Sequence, residues 1–307
     1  MLKHFYLLAG LTVFLFFLHS CKNVDQDQQV NFDPQAIPYK TLSEYAFFKG
    51  NMAALQPNER VLPYDLNTPL FSDYAYKARF VWMPDSLQAM VATNGNIEFP
   101  EHTVLIKNFY FPKDFRKEDE NWNIVETRLL VKRNKDWEAF TYIWTEDQKE
   151  AKLSLVGDFQ EVDWTDQAGQ AQQVNYLIPN KNQCKSCHNT DNKIMPIGPK
   201  VSNLNRTLDY PEGPQAQLVK WQESGLLKAS DLLSQFTPLP VWDDPQSGDL
   251  ESRALAYLDV NCGHCHHPAG PAHTTGMYLN SPPIKAGTNK SVGKHLDQIS
   301  SRHRRLE

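Results

Sequence analysis

Two copies of one short pattern constrain this chain more than any other feature. They are Cys184-Lys185-Ser186-Cys187-His188 and Cys262-Gly263-His264-Cys265-His266. In each copy two thiols stand one helical turn apart, so both sulfurs can reach the vinyl groups of one porphyrin, and the histidine that follows can bind its iron. The pattern predicts two c-type haems, with His188 and His266 as proximal iron ligands and four covalent attachment points: Cys184, Cys187, Cys262 and Cys265.

Two other uses of paired cysteines fit the chain less well. A thioredoxin-like redox pair belongs to a βαβ pattern and needs no histidine after the second cysteine, whereas both copies here have one. A four-cysteine zinc ribbon places its pairs about 15 to 20 residues apart. Here the first pair ends at Cys187 and the second begins only at Cys262. Covalent haem remains the favoured interpretation.

The beginning of the chain reads as a secretory leader. Residues 1–20 combine Lys3 with an apolar run from Phe5 to Leu18 and end just before Cys21. The run is shorter than the about 20 residues that a membrane-spanning helix needs, which leaves a transmembrane helix as the weaker alternative. We expect cleavage before Cys21 and lipid attachment to it. The lipid would anchor the exported protein to a bacterial membrane on its periplasmic or cell-surface side, outside the cytoplasm, where haem attachment to such motifs takes place.

Composition adds a limit on partners. The net charge is −5 and becomes more negative when the leader with its single lysine is removed. An acidic chain argues against a nucleic-acid partner. Hydrophobic residues make up 41% of the 307 residues, enough to bury a substantial core and to form two domains.

The pattern along the chain predicts an α+β, multidomain fold. After the leader, residues 21–39 read as a polar, lipidated tether, and residues 40–179 as an antiparallel, β-sandwich-like domain. Residues 180–307 read as a mainly α-helical c-type cytochrome region that carries both haems. The strands are predicted in runs rich in aromatic and β-branched residues: 78–83, 103–111, 125–132 and 138–144. The helices are predicted at 214–224, 226–236 and 249–260, the last capped by Asp249 and leading directly into Cys262.

These residues together resemble a family of bacterial lipoprotein dihaem c-type cytochromes. The resemblance covers residues 43–283 and rests on both haem motifs with the residues before them, 182–188 and 257–266, and on these segments: 47–48, 67–75, 126–130, 196–200 and 204–206. It implies electron transfer with redox protein partners. Because members of the family often occur beside a parallel β-helix repeat protein, it also suggests such a protein as one partner. A haem-dependent oxidoreductase such as a peroxidase, or a cytochrome subunit of a larger dehydrogenase complex, is the alternative.

The chain departs from that family after the second motif, and the sixth iron ligands stay open. The family pattern continues for longer and includes a Met-Pro segment, so the second haem domain is expected to be incomplete here. For the first haem the candidate is Met195, followed by Pro196, although a chain segment this short can barely pass around a porphyrin. For the second haem there are five candidates, none of them favoured: Met277, His267, His273, His295 and His303.

Overall fold

The centre of the molecule is a six-stranded antiparallel sheet with the strand order β1-β2-β5-β6-β7-β8. The structure is a computed structural model that describes residues 29–190 and 193–280. The predicted leader, Cys21, His295 and His303 lie outside the described residues. Among those that are described, no helix has the length and apolarity needed to cross a bilayer.

Most regular elements are strands. The strands are β1 (Leu62–Tyr64), β2 (Tyr76–Trp82), β3 (Met90–Val91), β4 (Ile97–Glu98), β5 (Val104–Pro112), β6 (Trp122–Arg133), β7 (Asp136–Trp144), β8 (Ala151–Ser154), β9 (Asp158–Thr165), β10 (Ala171–Ile178), β11 (Asn189–Thr190), β12 (Lys193–Ile194), β13 (Thr207–Tyr210) and β14 (Gly213–Ala216). The α-helices are α1 (Lys181–Cys187), α2 (Val201–Leu204), α3 (Gln217–Glu223) and α4 (Leu250–Asn261). Four short 3-10 helices complete the described chain: Ser43–Tyr45, Met52–Ala54, Asp231–Gln235 and His273–Thr275.

One face of the sheet is covered by the chain that precedes it. Successive side chains of a strand point to opposite faces, and on this face β2, β5, β6 and β7 contribute Phe80, Ile106, Leu129 and Tyr142. Residues from the N-terminal segment pack on them: Ile37, Leu42, Tyr45, Phe47, Met52, Leu55 and Val61. Val30 and Phe32 join this layer, so the range predicted as a tether overlaps the folded body from residue 29 onward.

The opposite face is covered in two halves by later parts of the chain. The β9–β10 hairpin packs one half with Val162, Trp164, Tyr176 and Ile178. The segments around the first haem motif pack the other half, against Val81, Leu105 and Ala139 of the sheet, through these residues: Cys184, Ile194, Val201, Leu204, Leu218, Trp221, Leu226, Leu227 and Phe236. The sheet and the region from residue 180 onward therefore share one hydrophobic core.

The predicted fold class, a β-sandwich-like domain followed by a mainly α-helical cytochrome region, is wrong. The described molecule is mostly antiparallel β-structure. After residue 180 it forms two further hairpins, β11–β12 and β13–β14, and four short α-helices. The sheet itself is a single layer of strands, with a hairpin against part of one face.

Tertiary hydrogen bonds explain why one of the three predicted helices does not form, whereas 214–224 and 249–260 correspond to α3 and α4. The segment 226–236 has a helical apolar pattern, yet only Asp231–Gln235 forms a 3-10 turn. The main chain on either side of Leu227 instead pairs with Ala89: the Ala89 N–H donates to Leu226 O at 2.8 Å, and the Lys228 N–H donates to Ala89 O at 2.9 Å. Packing of Leu226, Leu227 and Phe236 into the shared core outweighs the weak local helical preference.

Candidate functional site

The first haem motif lies on a capped helix that follows β10 directly. The Asn180 side chain accepts hydrogen bonds from the N–H groups of Asn182 and Gln183, and the Gln183 side chain accepts one from the Asn180 N–H. This reciprocal cap starts α1 at Lys181. Cys184 and Cys187 then stand three residues apart, on one side of the helix. Cys184 is buried and Cys187 is exposed.

The second motif is delivered by the longest of the described helices, α4. Asp249 caps α4, its side chain accepting a hydrogen bond from the Ser252 N–H, so the predicted helix and its cap are confirmed. The turn continues through the motif, because the N–H groups of Cys265 and His266 both bond to the carbonyl oxygen of Cys262, at 3.0 and 2.9 Å. Cys262 and Cys265 are therefore also one turn apart.

His188 is held by the hairpin that follows it. Its Nδ1 lies 2.8 Å from the carbonyl oxygen of Met195, and the Met195 N–H donates to the His188 carbonyl oxygen at 3.1 Å. A carbonyl oxygen only accepts, so Nδ1 carries the proton and Nε2 keeps a free lone pair. A backbone carbonyl on the far nitrogen is the usual support of a metal-binding histidine.

His266 is held in the same way by the loop that follows the second motif. Its Nδ1 lies 3.3 Å from the carbonyl oxygen of Met277, and the Leu279 N–H donates to the His266 carbonyl oxygen at 2.8 Å. The same tautomer follows, with Nε2 free. Of the other candidate ligands here, His267 Nδ1 accepts from the Ala269 N–H and His273 Nδ1 donates to the Gly270 carbonyl, so each is tied to its own loop.

The two motifs meet at one place. Val260, two residues before the second motif, lines a cavity together with Cys184 and His188 of the first. Lys200 Nζ lies 3.6 Å from Asp259 Oδ2 and so links the chain after the first motif to α4. The cavity volume is about 80 Å³, which is smaller than the about 300 to 1,000 Å³ typical of ligand pockets, so a bulky ligand would need the wall to open.

Apolar and proline-rich segments form most of the cavity wall. They are contributed by the sheet and by the stretch that follows His188: Tyr64, Leu66, Leu70, Leu105, Leu129, Leu130, Ala139, Phe140, Pro196, Ile197, Gly198 and Pro199. Three cationic side chains complete the wall: Arg79, Lys107 and Arg128. The site therefore combines a largely apolar enclosure with concentrated positive charge.

The described part of the chain contains no ready-made cluster of metal ligands, since no three His, Cys, Asp or Glu side chains converge on one point there. No protein-family model, curated protein or solved structure matches the chain. What the site can bind is therefore inferred from the residues of this chain alone.

Burial sets the protonation states of the histidine and cysteine side chains at the motifs. It lowers the pKa of His188 to about 4, against the effect of the Met195 hydrogen bond, and the charges of Lys107 and Arg128 lower it further. Burial raises the pKa of the Cys184 thiol. It also raises that of Cys265, which the neighbouring charges of Cys187 and Cys262 raise further. The imidazole of His188 is thus neutral, the form that binds a metal, and Cys184 and Cys265 are protonated thiols.

The cationic residues of the cavity were missed by the reasoning from sequence. Arg79, Lys107 and Arg128 lie directly opposite one another on β2, β5 and β6. The sequence did contain one indication of this site. Lys107 interrupts a strongly apolar run, Val104 to Phe111, and strand alternation places it on the same face as Leu105 and Phe109. A lysine at a core-facing strand position needs a partner or a function.

Proposed function

We propose that the protein is a dihaem c-type cytochrome that carries electrons outside the cytoplasm. The single observation that carries the proposal is the repeated geometry of the motifs. In each, two cysteines stand one turn apart and the histidine that follows donates its Nδ1 proton to a backbone carbonyl, at 2.8 Å for His188 and 3.3 Å for His266. Each imidazole therefore presents a free Nε2 to an iron.

The cysteine environment argues against a thioredoxin-like pair. A reactive dithiol has a lowered thiol pKa, which a helix N-terminus or a nearby cation supports. Cys184 is instead buried, its pKa is raised, and it lies in the middle of α1. A thiol of this kind is a poor redox nucleophile in the folded chain.

The residues present fit a haem at each motif. Cys184 and Cys187 would hold one haem with His188 as its ligand, and Cys262 and Cys265 the other with His266. A bound haem supplies one-electron transfer. The chain contributes a neutral imidazole in a fixed tautomer and, at the first motif, a largely apolar wall. Both features tune a haem reduction potential.

A haem-dependent oxidoreductase with an open iron position is the second candidate. It is favoured by the positions of Met195 and Met277, whose carbonyl groups lie on the Nδ1 side of their histidines. A sixth ligand must approach from the opposite face of the haem. Carbon monoxide titration of the reduced protein separates the two candidates: an open position binds the gas, whereas a pure electron carrier with two filled positions does not.

The proposal includes export and a membrane anchor. The leader and Cys21 support an exported, lipid-anchored protein. We propose redox proteins as partners, a parallel β-helix repeat protein among them, and the net charge of −5 speaks against nucleic acid. Labelling with a radioactive fatty acid, lost in a Cys21→Ser variant, tests the anchor independently of the haems.

Haem staining after denaturing electrophoresis, with intact mass of the same band, tests the function. The expected result is two covalent haems per chain. The variant Cys184→Ser/Cys187→Ser is expected to keep one, held by the second motif, and Cys262→Ser/Cys265→Ser the other. A chain that matures in a host with haem-attachment machinery and carries no covalent haem would refute the proposal.

A further inference from the structure

A row of positive charge crosses the sheet beneath the first motif. Arg79, Lys107 and Arg128 are register partners on β2, β5 and β6, and Arg128 is paired in turn with Thr141 on β7. Residues directly opposite one another share a face. The Cys184 thiol contacts Thr141, so the row begins beside the first motif and runs away from it.

The distances along the row follow from strand spacing. Neighbouring strands lie about 4.8 Å apart, which places the backbone of Lys107 about 10 Å and that of Arg79 about 14 Å from Thr141. All three basic residues line the cavity that also contains Cys184 and His188. A ligand tethered at Cys184 would have Arg128 near its tethered edge and Lys107 and Arg79 towards its far edge.

The row has more positive charge than the protein neutralises. The Asp65 carboxylate is shared between Arg79, at 2.7 Å, and Arg206, at 2.8 Å. Glu126 pairs with Arg128, at 2.8 Å. Among the described residues no carboxylate forms an ion pair with Lys107, whose ammonium group lies 4.7 Å from the centre of the Phe109 ring.

Three arginines therefore face two carboxylates, which leaves one uncompensated positive charge. Lys107 adds to it only when protonated, because burial and the charges of Arg79, Arg128 and Lys77 lower its pKa well below the ordinary lysine value. Lys200 and Asp259, which pair with each other at the edge of the site, do not change this difference. Arg79 also has an unused donor: its side chain is only 4% exposed, and its Nη2 is buried without a hydrogen-bond partner. Buried donors and buried charges without partners are costly, so the site calls for an anionic ligand.

We propose that Arg79 and Lys107 bind the propionate carboxylates of the haem held at the first motif. The inference rests on the proposed function. The propionates leave a porphyrin at the edge opposite its vinyl groups, and this edge would lie towards Lys107 and Arg79 when the vinyl edge is held at Cys184. Arg79 Nη2 and the Lys107 ammonium supply the unpaired donors. Arg128, which pairs with Glu126, lies at the end of the row nearest Cys184.

The test compares Lys107→Met and Arg79→Met with the control Lys152→Met. Lys152 is an exposed lysine on β8 that is not part of the cavity wall. All variants are first assayed for two covalent haems. The readouts are the propionate bending bands in resonance Raman spectra and the two midpoint potentials in a redox titration, assigned to the motifs with the cysteine variants described above.

We expect both cavity variants to shift the propionate band of one haem and to lower the midpoint potential of the first haem, because a nearby cation disfavours the more positive ferric state. Lys107→Arg should restore both readouts, and Lys152→Met should leave the propionate bands unchanged. If Lys107→Met does not fold, Lys107→Gln replaces it, and Arg79→Met tests the row separately.

Two results would overturn the inference while leaving the proposed function intact. One is an unchanged propionate band and unchanged potentials in both cavity variants that retain two haems. The other is a change from low-spin to high-spin ferric iron in Lys107→Met alone, which would assign Lys107 to the iron. Wild-type protein without covalent haem would overturn the proposed function as well.

Discussion

His188 Nδ1 and the carbonyl oxygen of Met195 lie 2.8 Å apart. This contact closes a short hairpin on the imidazole and fixes its tautomer. It also places the Met195 main chain on the side of the ring that faces away from an iron bound at Nε2. Because only a few residues separate the two, we expect the Met195 sulfur not to reach the other face of a haem bound at His188.

The substitution Met195→Leu is therefore expected to leave the axial ligation of the first haem unchanged. The Met195 side chain is 42% exposed, and the contact with His188 uses only its main chain. Ferric absorption spectra and carbon monoxide binding by the reduced protein should match those of the wild type. New binding of the gas in Met195→Leu would show that the methionine sulfur does reach an iron.

Asn203→Ala is expected to loosen the wall of the cavity. The Asn203 side chain, only 1% exposed, accepts from the Thr68 N–H at 2.9 Å and donates to the carbonyl oxygens of Thr68 and Gly198, at 3.1 and 3.3 Å. Its removal leaves these buried groups unpaired, which should lower the free energy of unfolding by about 1 to 3 kcal/mol.

Urea denaturation measures this effect, with Asn205→Ala as the control. The Asn205 carbonyl accepts a hydrogen bond from Asn67, and this contact uses the main chain, which the substitution keeps. The control should change the free energy of unfolding by no more than about 0.5 kcal/mol. Equal losses in the two variants would contradict the bridging role of Asn203.

Gly157→Ala is expected to disturb the start of the first motif. Gly157 has a φ of +75°, and an added Cβ would lie 2.5 Å from the carbonyl oxygen of Ile178 and 2.9 Å from the backbone nitrogen of Asn180. Asn180 caps α1, so the clash pushes on the helix that carries Cys184. Gly50 is the matched control, because its φ is +58° and nothing lies within 4 Å of an added Cβ.

Both alanine variants meet the left-handed backbone penalty of about 1 to 2 kcal/mol. Gly157→Ala should lose about 1 to 3 kcal/mol more, because the contacted atoms belong to the main chain and cannot swing away. Thermal or urea unfolding of the pair measures the difference. A loss no larger than that of Gly50→Ala would show that the β8–β9 turn can move without disturbing α1.

Lys77 is expected to make stability rise with pH. Burial, followed by the charges of Arg79 and Arg128, lowers its pKa to about 7, against the opposing effect of Asp73. The unfolded chain binds this proton up to about pH 10.5, the ordinary lysine value. Between these limits the unfolded state holds more protons, so the free energy of unfolding rises with pH and falls again as pH drops towards 7.

Urea unfolding of the protein at about pH 7.5 and about pH 9.5 tests whether the free energy of unfolding rises with pH. Lys77→Met should reduce the slope of the pH dependence, because it removes one of the groups that take up a proton on unfolding; Lys107, whose pKa burial also lowers, remains. The exposed Lys152, changed to methionine, is the control and should keep the wild-type slope. A wild-type slope in Lys77→Met would mean that Lys77 is fully solvated in the folded state.

The strands and two of the three later helices were predictable, and the conformation of residues 226–236 was not. The runs around Phe80, Ile106, Leu129 and Tyr142 show local apolar alternation, and each is a strand of the sheet. α4 was also predictable, since its cap and its termination lie within one stretch of sequence. Segments such as 226–236 take their conformation from partners far along the chain, for example Ala89, which no local pattern reveals.

The residues of the candidate site also differ in whether the sequence predicts them. Spacing alone identified the cysteines and the two histidines, because covalent attachment depends on a local pattern. The basic row could not be read from spacing, since Arg79, Lys107 and Arg128 lie on three strands and meet only through their register. The carbonyl partners of His188 and His266 depend on hairpin and loop geometry that the motif does not specify.

The burial of Cys184 sets an order of events in the biogenesis of the protein. Once α1 has docked, this thiol is 8% exposed, faces β7 and resists ionisation. A porphyrin approaching the finished fold would find Cys187 accessible and Cys184 closed off. Under the proposed function, the covalent bond to Cys184 would form while the segment is still undocked, and the sheet would then close over a prosthetic group already in place. Failed attachment would leave a vacant core, and such a chain should be a ready target for proteolysis.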